Sequence, residues 1–344
     1  MKKSFLNKKW ISGLLFVFIL ISASFSGCVD SDQEQETAAE AAKTTQTEEI
    51  PKPQANIKTE TAVQTVTEGK NTSKEELKTL KIGLIPAEDS AEMIEKFEPV
   101  RLYLEKELGM EVQTFTATDY TSVVEAMRSD KVDVGFFGPL SYVLAAEQAG
   151  AEAIIAGGEN GTLGSYTSCI ITYKGSEINN MDDLFKNSKD LTFSFVDPAS
   201  TSGNLIPRGY LLSQGLNPDT DFKECVFSGG HDASGLAVKS KKVDAGAIYN
   251  IGYNRMVEEG ILDKEEVFII WESDPIPSSP IAVRGSLDPE LKEKIQKAFL
   301  DLQVKDPEAM EIFESQWEEN KEYVPVNDST YDYIRTIARG LDYI

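Results

Sequence analysis

From Leu80 onward the chain alternates short apolar runs with stretches whose apolar residues recur every three or four positions. LKIGLI reads as a strand. In SAEMIEKFEPVRLYLEKELG, Met93, Phe97, Val100, Leu104 and Leu108 share one face at helical spacing, and Gly109 suits the end. Pro99 lies inside that pattern and predicts a kink or a division. MEVQTFTA then reads as a strand, YTSVVEAMRS as a helix, KVDVGFF as a strand, and PLSYVLAAEQAG as a helix with Pro139 in its first position. EAIIAGG and YTSCIITYK add strands. MDDLFK, LTFSFVD, GNLIPRGYLLSQG, KECVFSGG, HDASGLAVKSK, KVDAGAIYN and RMVEEG continue the alternation. PIAVRG reads as a return strand before helices run to Ile344. The rhythm predicts an α/β fold of packed layers with largely parallel strands. Lys-Val-Asp-x-Gly occurs twice, in SDKVDVGFF (129–137) and SKKVDAGAI (240–248), each time between a helix and an apolar strand. That echo fits two similar α/β halves.

The first 78 residues follow other rules. MKKSFLNKKW carries four lysines, ISGLLFVFILISASF is almost continuously apolar, and SGC follows. A basic start, an apolar stretch too short for a membrane span of about 20 residues and a small-residue exit describe an export signal. FSGC (Phe25–Cys28) resembles the lipobox, which implies lipidation of Cys28 as the new N-terminus and a chain held at the outer face of a membrane. Phe25 stands where that motif usually has leucine. Residues 29–78 are rich in Thr, Glu, Gln, Ala and Lys, and cannot bury enough apolar surface to offset the entropy of ordering. They read as a disordered tether.

Charge narrows the choice of partner. Lys+Arg total 34 against Asp+Glu 57, a net charge of −23, which argues against nucleic acid because phosphate backbones require a basic face. Besides Cys28 there are two cysteines, Cys169 and Cys225, both in strand-like apolar runs, and they read as free thiols. With a single histidine and no H-x-x-x-H or CxxC spacing, neither a metal nor a cofactor is expected.

Candidate chemistry concentrates at two strand-to-helix turns. DPASTSG (197–203) places Ser200, Thr201, Ser202 and Gly203 at the head of a helix, with Pro207 in its first turn if the helix begins near Ser202 or Gly203. A helix start exposes unpaired N–H groups and a partial positive charge, so an anion can bind there without a cationic side chain. Serine and threonine hydroxyls add donors, although the same residues also serve as plain helix caps. GGHDASG (229–235) puts His231 at a second helix start, with Asp232 reading as the cap. A histidine there can donate to an oxyanion, more strongly if protonated, so affinity would weaken as pH rises through the histidine range. Tyr120, Tyr142 and Tyr166 stand at loop positions, where an apolar ring with a hydroxyl can wall a small polar site.

These motifs together resemble the periplasmic binding proteins of phosphonate, phosphite and phosphate ABC transporters. The likeness covers roughly 80–340 and rests on IGLIPAED, DYTSVVEAMRSDKVDVGFFGPLSYVLA, VDPASTSGNLIPRGYL, GGHDASGLAV and WESDPIPSSP. It implies the type II two-lobed fold with a hinge, with lobe one from 79–169 and 283–344 and lobe two from 170–282. It further implies oxyanion ligands at Ser200, Thr201, Ser202 and His231, closing tyrosines at Tyr120 and Tyr166, a permease as partner and a monomeric state. Relatives that take aminoalkylphosphonates hold the amine with carboxylates. At the positions expected for those carboxylates this chain has Asn250 and Ser279, so the sequence leans toward phosphate, phosphite or a small alkylphosphonate.

Two other readings bear on the same residues. A binding module feeding a membrane receptor would share the ligand-domain sequence. A hydrolase would need Ser200, Asp197 and His231 as a triad, but no G-x-S-x-G elbow surrounds the serines.

Overall fold

The computed structural model describes residues 79–344, so Cys28, the export signal and the tether lie outside the described residues. In chain order the first elements are β1 (Thr79–Leu84), α1 (Ser90–Leu108), β2 (Glu111–Thr116), α2 (Tyr120–Arg128), β3 (Val134–Phe136), α3 (Pro139–Ala149), β4 (Glu152–Glu159) and β5 (Thr162–Leu163). There follow β6 (Ser165–Tyr166), β7 (Ser168–Tyr173), α4 (Met181–Asn187), β8 (Thr192–Phe195), α5 (Ile206–Ser213), α6 (Pro218–Asp221), β9 (Glu224–Phe227), α7 (His231–Lys239), β10 (Ala245–Tyr249) and α8 (Asn250–Glu258). The last are β11 (Val267–Glu272), β12 (Ile276–Pro277), β13 (Pro280–Val283), α9 (Pro289–Lys305), α10 (Pro307–Glu314), β14 (Glu322–Pro325) and α11 (Asp332–Gly340).

The strands form two main sheets, ordered β14-β4-β13-β3-β1-β2 (with β5 on β4) and β11-β7-β10-β8-β9. The chain crosses from the first sheet to the second through β6 and returns through β12, and these two short strands pair antiparallel, Tyr166 opposite Ile276. The two-lobed α/β fold is thus present, but its sheets are mixed. Only β1, β2 and β3 in one, and β8, β9 and β10 in the other, run parallel. The strands that join them from the crossovers enter antiparallel. Apolar periodicity reports which residues are buried and carries no information on strand direction.

The repeated Lys-Val-Asp-x-Gly is explained by the two parallel sets. Asp133 donates its N–H to the Lys81 carbonyl (2.8 Å) and accepts the Lys81 N–H at its carboxylate (2.9 Å). Asp244 repeats this with Thr192 (2.9 and 2.7 Å). Each aspartate therefore sets the register between the first and third parallel strands of its sheet.

Helix signals were mostly read at face value by the fold. Asp89 caps α1 by accepting from Ala91 and Glu92 N–H groups, and Gly109 ends it at φ 65°. Pro99 does not divide α1, which runs through it with Met93, Phe97, Val100 and Leu104 buried on both sides. Tertiary packing of that face overrides the local cost of the proline. Phe97, Phe136 and Phe313 form an edge-to-face cluster with centroids 5.0–5.5 Å apart, and Trp317 stacks on Phe313 at 6.0 Å. This cluster fixes the turn after α10 against the first sheet, which matters for the site.

Candidate functional site

Each parallel strand ends at the same place, a cavity between the two halves. The segments after β1, β2 and β3 bring Ile85, Ala87, Tyr120 and Gly138; those after β8, β9 and β10 bring Ser200–Ser202, His231 and Tyr249. This is the crevice beyond the carboxyl ends of strands, where open α/β sheets place ligands. The cavity measures about 30 Å³, room for roughly two or three waters on the scale where one water needs about 10–15 Å³. Among the described residues, neither lysine nor arginine lines it.

The hydroxyl turn opens with a five-residue π-helical turn, Thr201–Leu205, which leads into α5. The helical path thus starts at Thr201, slightly earlier than the expected Ser202 or Gly203, and Pro207 sits in the first turn of α5. Ser200 is the N-cap, its Oγ accepting the Gly203 N–H at 3.0 Å. Thr201 Oγ1 accepts the Leu140 N–H, from the first turn of α3, at 2.8 Å. Two helix starts, one from each half, therefore meet at the cavity. Because both oxygens already accept from backbone N–H groups, their protons remain available as donors. Ser202 is buried beside them, and its carbonyl accepts from Ser168 Oγ at 2.6 Å. The hydroxyls of Thr201, Ser202 and Ser279 surround the Tyr166 phenol, whose ionisation is pushed far up by burial. The Tyr120 hydroxyl stands beside Ser200, buried and without a well-aligned hydrogen-bond partner.

All six residues expected to hold ligand (Ser200, Thr201, Ser202, His231, Tyr120 and Tyr166) thus line one cavity. Tyr142 does not. It is buried within α3, its hydroxyl donates to Asp328 at 2.8 Å, and it packs on Tyr331. Asp232 is not the cap of α7 either. Gly230 holds that position, and Asp232 accepts from the Ala233 N–H inside the first turn.

His231 reaches the cavity because its own N–H donates to the Ala87 carbonyl across the halves at 2.9 Å. Its ring packs on Tyr249 at 4.4 Å, and its Nδ1 is buried without a hydrogen-bond partner. Burial, with the Arg255 charge adding to it, pushes its pKa down to about 3. The imidazole is therefore neutral near pH 7, which replaces the expectation of a protonated donor that weakens as pH rises. A neutral ring still donates one N–H. Accordingly, His231→Gln is expected to keep affinity within about tenfold while His231→Ala loses about 10–100-fold, read by calorimetric titration. An equal loss in both variants would assign the ring a packing role alone.

Among the wall residues that the sequence did not reveal are Tyr249, Trp317 and Glu318. Tyr249 donates to the Trp317 carbonyl at 3.1 Å, again across the halves. Trp317 and Glu318 come from the turn after α10. Glu318 is buried, both its oxygens accept from the Ser279 N–H (3.2 and 3.1 Å), and burial pushes its pKa up. Asn250 carries its carbonyl oxygen to the Thr167 N–H and does not line the cavity. Behind the wall, Glu88 from the segment after β1 pairs with Arg255 of α8 at 2.8 Å, both buried.

No hydrolytic triad forms from these groups. The Asp197 carboxylate accepts from the Ala199 and Tyr120 N–H groups and not from His231. Cys169 and Cys225 are free thiols, the first buried and the second partly so. Among the described residues, no cluster of three or more His, Cys, Asp or Glu side chains could hold a metal ion.

Residues 82–331 match the family of the periplasmic substrate-binding protein of phosphonate ABC transporters. The chain is 34% identical over 246 residues to the phosphonates-binding periplasmic protein of Escherichia coli, covering 70% of this chain and 71% of that one. It is 32% identical to the phosphate-import protein PhnD of Mycolicibacterium smegmatis, covering 76% and 85% respectively. Among solved structures, PhnD1 of Prochlorococcus marinus in complex with methylphosphonate superposes with a TM-score of 0.70 at 25% identity, over 78% of this chain and 99% of that one. The binding component of a phosphonate ABC transporter from Pseudomonas aeruginosa gives 0.69 at 28% identity, over 75% and 85%.

Proposed function

The chain belongs to the periplasmic substrate-binding proteins of phosphonate ABC transporters, extracytoplasmic components that are not enzymes, and from that premise we propose that it captures a small phosphorus oxyanion between its lobes and delivers it to a permease. The observation that carries this reading is the state of the two hydroxyls. Ser200 and Thr201 each accept a backbone N–H, so each can donate its proton into a cavity that, among the described residues, no lysine or arginine lines. Ser202, Tyr166, Tyr120 and His231 complete the donor set. Charge-assisted hydrogen bonds of about 1.5–3 kcal/mol each are sufficient for micromolar binding without a countercharge.

In this reading the β6/β12 ribbon is the hinge and the lobes are those expected, 79–169 with 283–344 and 170–282, except that Ser168 and Cys169 go with β7 to lobe two and Pro280–Ala282 go with β13 to lobe one. The anion draws the lobes together, and the cross-lobe bonds form as it arrives. Cys28 carries the lipid, and residues 29–78 tether the monomeric domain to the outer face of the membrane. The cavity volume favours phosphate, phosphite or methylphosphonate over a longer aminoalkylphosphonate.

Calorimetric titration of the purified protein, unfolded and refolded to remove carried-over ligand, tests this. Phosphate, phosphite and methylphosphonate are expected to include a ligand of micromolar affinity or better, with 2-aminoethylphosphonate weaker. Preference for the aminoalkyl ligand would overturn the size argument, and binding of none of the four would overturn the ligand class.

A further inference from the structure

A carboxylate in the wall of an anion cavity requires an explanation. Glu318 is 8% exposed and held by the Ser279 N–H on both oxygens. Facing it are Glu314 on its own turn and the phenols of Tyr166, Tyr323 and Tyr331. Ser278, Ser279 and Asn320 are its hydrogen-bonding neighbours, and Tyr120 and neutral His231 stand elsewhere in the cavity wall. None of these groups carries positive charge. An ionised Glu318 would repel an anion held against the same wall.

A proton between the two removes the conflict. We propose that Glu318 determines the specificity of the site by holding the anion through one shared proton between a carboxylate oxygen and a ligand oxygen. The inference rests on the anion-binding reading above and deepens it. The proton comes with the ligand when it binds as a monoanion, or from solvent when it binds as a dianion. In either case one proton and one hydrogen bond join two otherwise repelling groups. Phosphorus oxyanions carry or accept a proton near neutral pH; sulfate and sulfonates do not. The site therefore takes the first class and rejects the second, although the two have the same shape and fit the same donors. An amine-bearing ligand would also satisfy Glu318 by charge, but a cavity of about 30 Å³ is small for its longer chain.

The test compares methylphosphonate, phosphite and phosphate with methanesulfonate and sulfate on the ligand-stripped full chain at pH 6 and pH 8, in buffers of differing ionisation heat so that proton uptake is counted. At pH 8 the preferred phosphorus ligand is expected to bind at least about 100-fold more tightly than its sulfur analogue, which corresponds to about 2.7 kcal/mol, with protons taken up on binding. At pH 6, where the phosphorus ligands already carry the second proton, the proton uptake is expected to shrink. Glu318→Gln, whose amide donates without a shared proton, is expected to reduce the contrast below about tenfold and to remove the proton uptake. Equal binding of phosphonate and sulfonate by the wild type, or binding without proton uptake at pH 8, overturns the role of Glu318 without needing any variant. Binding of none of the five anions overturns the ligand class itself, and this inference with it.

Discussion

Thr201→Val is expected to weaken oxyanion binding by about a thousandfold while leaving the ligand-free protein close to its normal thermal stability. The side chains are nearly isosteric, so packing changes little. What is lost is one oxygen with two tasks. It accepts the Leu140 N–H from the other half (2.8 Å), and in the proposed site it donates its proton to the ligand. Removing the donor costs about 1.5–3 kcal/mol for a bond to a charged group, and closing on an unpaired Leu140 N–H costs a further ~1–3 kcal/mol. If the lobes part as proposed, that N–H reaches water before the ligand binds, so both costs fall on binding. Ser200→Ala should behave differently. Its oxygen caps its own helix, so the variant loses about 1 kcal/mol of stability through the cap and roughly 10–100-fold in affinity through the donor. Titration paired with thermal unfolding separates the two patterns. A Thr201→Val protein that binds within tenfold of wild type would show that the hydroxyl neither donates to ligand nor links the halves.

The contrast between Thr201 and Glu318 also shows what could be read from the chain. The hydroxyl turn was legible because its chemistry is contiguous. Three hydroxyl residues, a glycine and a helix start follow one another, and backbone geometry alone aims them at one point. His231 was legible for the same reason, as the single histidine at a second helix start. Its protonation state was not, because that depends on burial against Tyr249 and on the Arg255 charge, both supplied by tertiary packing. Glu318 lies in WEEN, a charged string that reads as a solvated helix end. Only the ring cluster of Phe97, Phe136, Phe313 and Trp317 folds that turn back onto the cavity. Asn250 and Ser279 stand where local sequence points to a carboxylate for an amine, whereas the carboxylate that meets Ser279 comes from a distant turn. The parallel strands were inferred correctly only where helices connect them; the antiparallel partners enter through the crossovers, and no local pattern encodes them.

Arg255→Met is expected to destabilise the protein by about 3–5 kcal/mol at pH 8, the usual cost of stranding one partner of a buried ion pair, which corresponds to a fall of roughly 10 °C in Tm. Arg255 and Glu88 are both buried and meet at 2.8 Å across the two halves, and Arg255 Nη1 also donates to the Tyr249 hydroxyl at 3.3 Å. Burial holds the Glu88 pKa at about 7, against 4.5 in an unfolded chain, even with Arg255 pulling it down. A carboxyl raised in this way contributes stability that is complete below 4.5 and lost as pH rises through the folded value. Without the guanidinium the folded value moves higher, and each step up in pH forces a bare charge into the interior. The deficit of the variant should therefore be large at pH 8 and small at pH 5, where Glu88 is neutral and wild type carries an unpaired Arg255 instead. Glu88→Gln combined with Arg255→Met should restore most of the loss at pH 8, because no charge is then left buried. Since the pair spans both halves, ligand affinity should follow the same pH pattern. A deficit that is flat between pH 5 and 8, or a double variant no better than the single, would show that Arg255 acts through its packing and not through its charge.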